Sequence, residues 1–174
     1  EEAAVPADVV QRAFPSIPGV DCPGEPSRLH LQDYGPRFDE GVTDLEPPRA
    51  DQGREYTVLV PQVDADGNEI PGIRTPHVEV PLATYTGWNY RPAGSAEQAI
   101  AGTKGGYHPL PVNRAQRDDT GDPRPSVEER YGSKARYVRL IALTAQRMVE
   151  RRLLLEEDAD RYVALAMEHD FEAI

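Results

Sequence analysis

Hydrophobic and polar positions alternate most cleanly between residues 54 and 90. Tyr56, Val58 and Val60 alternate with Thr57 and Leu59, and further on Val78, Val80 and Leu82 alternate with Glu79 and Pro81. A period of two marks strands with one face turned to a core. Asp66-Gly67, followed by Asn68, lies between the two runs and favours the positive φ angles of a tight turn, so the spacing predicts a β-hairpin. Pro61, Pro71, Pro76 and Pro81 donate no backbone hydrogen bond, which confines these strands to a sheet edge or to short pairings.

The period changes near the C-terminus. Ser126 followed by Glu129 forms a capping box that opens a short turn from Val127 to Tyr131, and Gly132 closes it. Ser133 then starts a long helix running to about Leu154. Tyr137, Val138, Leu140, Ile141, Thr144, Ala145, Met148 and Val149 fill one broad face of it, while Arg136, Arg139, Gln146, Arg147 and Glu150 fill the other. Arg151 and Arg152 suit its negative end. Glu156, Glu157 and Asp158 suit the positive end of a second helix, from Ala159 to about His169. The two helices are expected to pack against the same body.

Elsewhere the pattern is broken. Phe14, Ile17 and Val20 in FPSIPGV are anchors on an extended, turning path set by Pro15, Pro18 and Gly19. From Asp21 to Gln52 the prolines and glycines interrupt every candidate element, and Arg91 to Pro125 reads as irregular again. The expected organisation is therefore a loop-rich strap over 1–53, a hairpin region over 54–90, an irregular loop over 91–125 and a helical segment over 126–174, all in one domain or part of one. A length of 174 residues suits one core, and 17 Pro with 14 Gly keep that core modest. The chain starts at Glu1-Glu2 without Met and is expected to be a piece of something longer. The fold expected of the chain itself is α+β with much irregular structure, a β-hairpin and two C-terminal helices.

A net charge of −11 argues against nucleic acid and acidic membranes as partners, because phosphate binding needs a basic surface. No apolar run approaches the ~20 residues of a membrane span. The single cysteine, Cys22, allows neither an internal disulfide nor a multi-cysteine zinc site, and it leaves the compartment undecided.

Candidate chemistry is sparse. Ser16, Ser27, Ser95, Ser126 and Ser133 all lack the G-x-S-x-G context of an exposed nucleophile, and Ser126 is accounted for as a cap. His30, His77, His108 and His169 have no ligand spacing, so no metal and no catalytic residue is assigned. The run Asp64-Ala-Asp66-Gly-Asn68-Glu69 places its glycine and glutamate too early for a calcium loop and reads as a polar turn. Gly102, Gly105 and Gly106 around Lys104 miss the spacing of a phosphate loop, so no nucleotide cofactor is assigned. Asp118, Asp119 and Asp122 with Arg114, Arg117, Arg124 and Arg130 are expected to form an exposed ion-pair cluster worth ~1 kcal/mol or less per pair. Tyr85, Trp88 and Asn89 in TYTGWN remain as the substrate-binding candidates, since the rings combine apolar bodies with polar tips and Gly87 allows close approach; the competing reading, and the favoured one, is that they are core anchors joining this segment to the rest of the protein.

FPSIPGV (14–20), DYGPRF (33–38), LVPQVDADGNEIPGIR (59–74), VPLATYTGWN (80–89) and GDPRPSVEERY (121–131) together resemble the C-terminal region of the bacterial alpha/beta hydrolase domain family, from about Phe14 to about Ala166. The resemblance implies an α/β hydrolase-like protein, esterase-like in chemistry, with a small-molecule ester as substrate. It also implies that the nucleophile and its histidine lie upstream, in the same polypeptide or a partner chain. The alternative expectation is a non-catalytic ligand-binding or assembly module.

Overall fold

The computed structural model describes residues 4–22, 30–89 and 104–170. Ser27 and Ser95, the prolines and glycine of 23–29, the first residues of the irregular 91–125 stretch and Gly102 lie outside the described residues.

Among the described residues the chain is α+β, with helices and three two-stranded antiparallel ribbons. Strand β1 (Ala4–Pro6) leads directly into helix α1 (Ala7–Ala13). Phe14 ends that helix in an extended conformation, and it and Ile17 are buried, with Val20 half-buried, as their spacing between prolines implied.

Residues 30–52 depart from the loop-like reading of 21–52. Strand β2 (His30–Asp33) pairs with β3 (Arg49–Glu55), and Tyr34 stacks on Phe38 in the connection, with ring centroids 4.6 Å apart. These strands carry HLQD and RADQGRE, polar sequences with no apolar alternation. Their ribbon is largely exposed, so it leaves no period-two signal to read.

The predicted hairpin forms as a short one. Asp64 N donates to Asn68 O at 2.8 Å, Ile70 N donates to Gln62 O at 2.8 Å, and Val63 bridges Glu69. Gly67 N donates to Asp64 O at 2.9 Å and Gly67 has φ 81°, which makes this a turn centred on Ala65-Asp66 and closed by a left-handed glycine. Gly67 alone supplies the positive φ. The flanking runs take other partners. Strand β4 (Leu59–Pro61) pairs with β1, and residues predicted as the second strand instead form one helical turn, α2 (Pro76–Glu79). Pro76 explains the difference. It occupies the first helical position after Thr75, where its ring presets φ and its missing N–H is not needed.

Strand β5 (Ala83–Thr86) pairs with β6 (Gly106–Pro109) in the register Ala83 to Pro109 and Thr86 to Gly106. Within the stretch read as irregular there is also a helix, α3 (Arg114–Thr120). The Asn113 side chain caps it by accepting from Gln116 N, and Gly121 at φ 70° ends it. Seven residues without an apolar stripe give no periodic signal, although the cap and the glycine were both readable.

The C-terminal segment follows its pattern closely. Helix α4 (Val127–Tyr131) carries the full capping box: Ser126 Oγ accepts from Glu129 N at 3.2 Å and Glu129 Oε2 accepts from Ser126 N at 3.0 Å. Helix α5 (Lys134–Glu150) starts from a Ser133 cap and buries Tyr137, Ile141, Ala145 and Met148. It stops at Glu150 rather than near Leu154, because Arg152 turns to φ 58°. Helix α6 (Glu156–Glu168) consequently begins earlier than expected, with Glu156, Glu157 and Asp158 in its first turn, and packs on α5. Val80, Leu110, Val127, Tyr131, Tyr137, Ile141 and Ala166 form the main core cluster. Ser126 is fully buried, so Ser126→Ala is expected to cost about 1 kcal/mol by urea denaturation. A neutral result would show that the cap is dispensable.

No described helix is long and apolar enough to cross a membrane.

Candidate binding cavity and its supports

The turn at 64–68 is pinned to β5. Asn68 is fully buried. Its Oδ1 accepts from Tyr85 N at 2.7 Å and its Nδ2 donates to Ala83 O at 3.2 Å, while Thr84 Oγ1 donates to Asp66 O. The hairpin loop and strand β5 are thereby one rigid unit. The carboxylates of the turn are engaged by other groups: Asp64 Oδ1 accepts from Asp66 N and Asn68 N, Asp64 Oδ2 pairs with Arg74 at 2.7 Å, and Asp66 Oδ1 pairs with Arg130. Among the described residues no group of three acidic, histidine or cysteine side chains converges as a metal site.

Against this unit lies a cavity of about 320 Å³. Val10 and Phe14 come from α1 and its exit, Val60 and Pro61 from β4, Gly67 and Glu69 from the hairpin, and Tyr85, Thr86, Gly87 and Trp88 from β5 and its end; Cys22 also lines it. The Phe14 and Trp88 rings meet at 5.7 Å between centroids with an interplanar angle of 56°. Tyr85 packs edge-on to Tyr107 at 5.6 Å, and burial followed by the neighbouring Tyr107 pushes its phenol up to about 12, so the hydroxyl is neutral over the physiological range. Burial also pushes the Cys22 thiol up. Two of the three substrate-binding candidates, Tyr85 and Trp88, therefore sit together on the wall. Asn89 does not line the cavity; its Nδ2 donates to Gly105 O at 3.4 Å.

Gly67 lets Phe14 approach: a Cβ on it would lie 2.8 Å from Phe14 Cε2. Gly105 and Gly106 have a structural explanation as well. A Cβ on Gly105 would stand 2.2 Å from Thr86 O, and one on Gly106 would stand 2.5 Å from Thr86 Oγ1. They permit the β5–β6 pairing. Since a main-chain oxygen cannot swing aside, Gly105→Ala is expected to destabilise the chain by about 1–3 kcal/mol. An unchanged urea midpoint would rule that packing out.

The described hydroxyls do not assemble a nucleophile. Ser126 and Ser133 are helix caps and Ser16 is exposed. Thr86 lines the cavity, but its Oγ1 donates to Trp88 O at 2.6 Å and accepts from Gly106 N at 3.0 Å. His108 lies on the same side of the ribbon with Nε2 buried and without a hydrogen-bond partner. Burial and then the Arg124 guanidinium push its imidazole below the ordinary value. A base in a triad is oriented and supported by a carboxylate, whereas here the neighbouring charge is positive.

The arginine and aspartate cluster differs from its exposed reading. Arg124 is among the most buried side chains, and all five guanidinium N–H groups are used. Nε donates to Asp122 Oδ1 at 2.9 Å, Nη1 to Thr84 Oγ1 at 2.8 Å and His108 O at 2.9 Å, and Nη2 to Asp122 Oδ2 at 2.6 Å and Pro109 O at 2.9 Å. Arg130 leaves the cluster for Asp66 in the hairpin turn, while Arg117 pairs with Asp118 at 3.0 Å and Glu129 at 2.8 Å. Arg124 was missed as a site support because charge in a proline-rich loop ordinarily signals solvent; only its partners from two distant strands reveal its place.

Searches of curated proteins and of solved structures return no match to this chain. A family model described as "Alpha/beta hydrolase domain" matches residues 26–164. That range takes in four of the five motifs and leaves FPSIPGV outside it. Spanning most of the sequence, the match makes this chain a member of the alpha/beta hydrolase domain family.

Proposed function

We propose that this chain forms the substrate pocket of a serine-type hydrolase acting on carboxylic esters, with the nucleophile supplied from outside it. The observation that supports this most directly is the cavity between α1, the hairpin and β5, where Phe14, Tyr85 and Trp88 offer an apolar wall. A volume of about 320 Å³ is at the small end for ligand pockets, which suits one acyl or alcohol group rather than a whole large substrate. Family membership supports a hydrolase-like fold, on which ester hydrolysis is the chemistry proposed, and the absence of G-x-S-x-G from the sequence supports an external nucleophile. The test is a fluorophosphonate probe with mass mapping, run beside a p-nitrophenyl ester assay on the same chain. Neither labelling nor turnover is expected. Clear labelling of any serine in the chain overturns the proposal.

A second reading, a non-catalytic binding or assembly module, draws on apolar side chains left exposed on and beside α6, namely Leu155, Leu165 and Met167. Gel filtration separates the two: a stable monomer with no co-purifying chain counts against an obligate partner.

A further inference from the structure

The cavity described above has an electrostatic character that an ester pocket does not by itself require. Its wall is built from Phe14, Tyr85 and Trp88, and among the described residues the one carboxylate lining it is Glu69. Among the described residues no lysine or arginine lines it, and no cation lies within ion-pairing distance of Glu69. Glu69 is exposed, with Oε1 3.1 Å from the point where a Cβ on Gly87 would sit, so the carboxylate stands over the Gly87-Trp88 rim. Aromatic faces attract a cation through their quadrupole, and an adjacent carboxylate adds to that attraction while repelling an anion. The chain's net charge of −11 biases the surrounding field in the same direction.

We infer that this cavity binds an alkylammonium group, with the three rings contacting the methyl or methylene surface and Glu69 selecting for positive charge at the rim. The inference rests on the reading of the cavity as the substrate pocket and adds the class of substrate: an ester bearing a quaternary or tertiary amine in its acyl or alcohol part. Carboxylate-bearing esters are excluded by the same charge.

The lone tryptophan makes the test direct. Trp88 fluorescence in the full chain is titrated with choline, with its uncharged carbon isostere 3,3-dimethylbutan-1-ol, and with propionate, while protection of Cys22 from N-ethylmaleimide is followed in parallel. Choline is expected to give a saturable change and to slow Cys22 modification, binding about tenfold more tightly than the isostere, with propionate inert. Glu69→Gln, on an exposed side chain and checked for folding by circular dichroism, is expected to remove most of that preference. Equal binding of the isostere, an unaltered preference in Glu69→Gln, or a cation that neither changes Trp88 emission nor protects Cys22 overturns the inference. Ester turnover is not read here, so failure of the hydrolytic proposal and failure of cation selection show in separate experiments.

Discussion

Arg124→Ala is expected to destabilise the chain by about 3–5 kcal/mol, because it removes one partner of a buried ion pair and leaves the other charged. Arg124 and Asp122 side chains are 2% and 5% exposed, so solvent screens the pair little. The loss would be a large share of the stability of an ordinary domain. Arg124→Lys keeps the charge, but one nitrogen cannot reach Asp122, Thr84 and the carbonyls of His108 and Pro109 together, so most of the loss should persist. Replacing both partners by apolar residues, as in Arg124→Met with Asp122→Leu, removes the stranded charge but still withdraws Arg124 from Thr84 and the carbonyls of His108 and Pro109, so only part of the loss is expected to return. Urea denaturation at neutral pH measures all three. A loss under about 1 kcal/mol for Arg124→Ala would mean that the pair behaves like an exposed one.

The pH dependence follows from the same pair. Burial opposes ionisation of Asp122, yet the hydrogen bonds and charge of Arg124 outweigh it and hold the carboxyl below the usual aspartate value. A depressed folded value means that the stabilisation is present above the unfolded aspartate pKa, about 3.9, and is lost as pH falls through the folded value. His77, depressed by burial, and His108 act in the same direction at higher pH. The unfolded state takes up protons near pH ~6.5 before the folded state does, so stability should begin to fall below that point. Without Arg124, burial alone would raise the Asp122 carboxyl, so the loss in Arg124→Ala should be largest at neutral pH and shrink as acid protonates Asp122.

Ile141→Ala is the second large effect, at about 2–5 kcal/mol, the range for deleting a fully buried branched side chain and leaving a void. Ile141 is 0% exposed and belongs to the cluster of Val80, Leu110, Val127, Tyr131, Tyr137 and Ala166. That cluster ties α5 and α6 to the segment leading into β5, so its loosening should reach the cavity wall as well as the helices. Leu143, two residues along the same helix and 39% exposed, is the control; Leu143→Ala should change the urea midpoint far less. Equal losses at the two positions would mean that the assigned core face is wrong.

Legibility in the sequence tracked the range of the interaction. The Ser126 and Glu129 capping box, the Gly132 stop, the Ser133 cap and the buried face of α5 all came through, because each depends on residues within about four positions of one another. Phe14 and Ile17 were legible as anchors because prolines fix the path around them. The strands on either side of the hairpin turn were not. An alternating run says that one face is buried but not which strand will lie beside it, and here β4 takes β1 while β5 takes β6. The polar β2–β3 ribbon, with little to bury, carried no periodic signal at all.

The candidate site divides in the same way. Tyr85 and Trp88 could be picked out from composition alone, since large rings beside a glycine are uncommon in a polar chain. Their partner Phe14 and the carboxylate of Glu69 could not, because α1, β4 and the hairpin converge on β5 only in three dimensions. Arg124 and Arg130 show the limit most clearly. In sequence both belong to one charged loop, yet one is entombed between two strands and the other reaches Asp66, 64 residues away. The sequence by itself determined the turns, the caps and the helical faces, which local sterics and hydrogen bonding dictate. The tertiary structure decided which strands pair, which charges are buried and where the cavity opens, since each of those depends on which distant surface excludes water from the group.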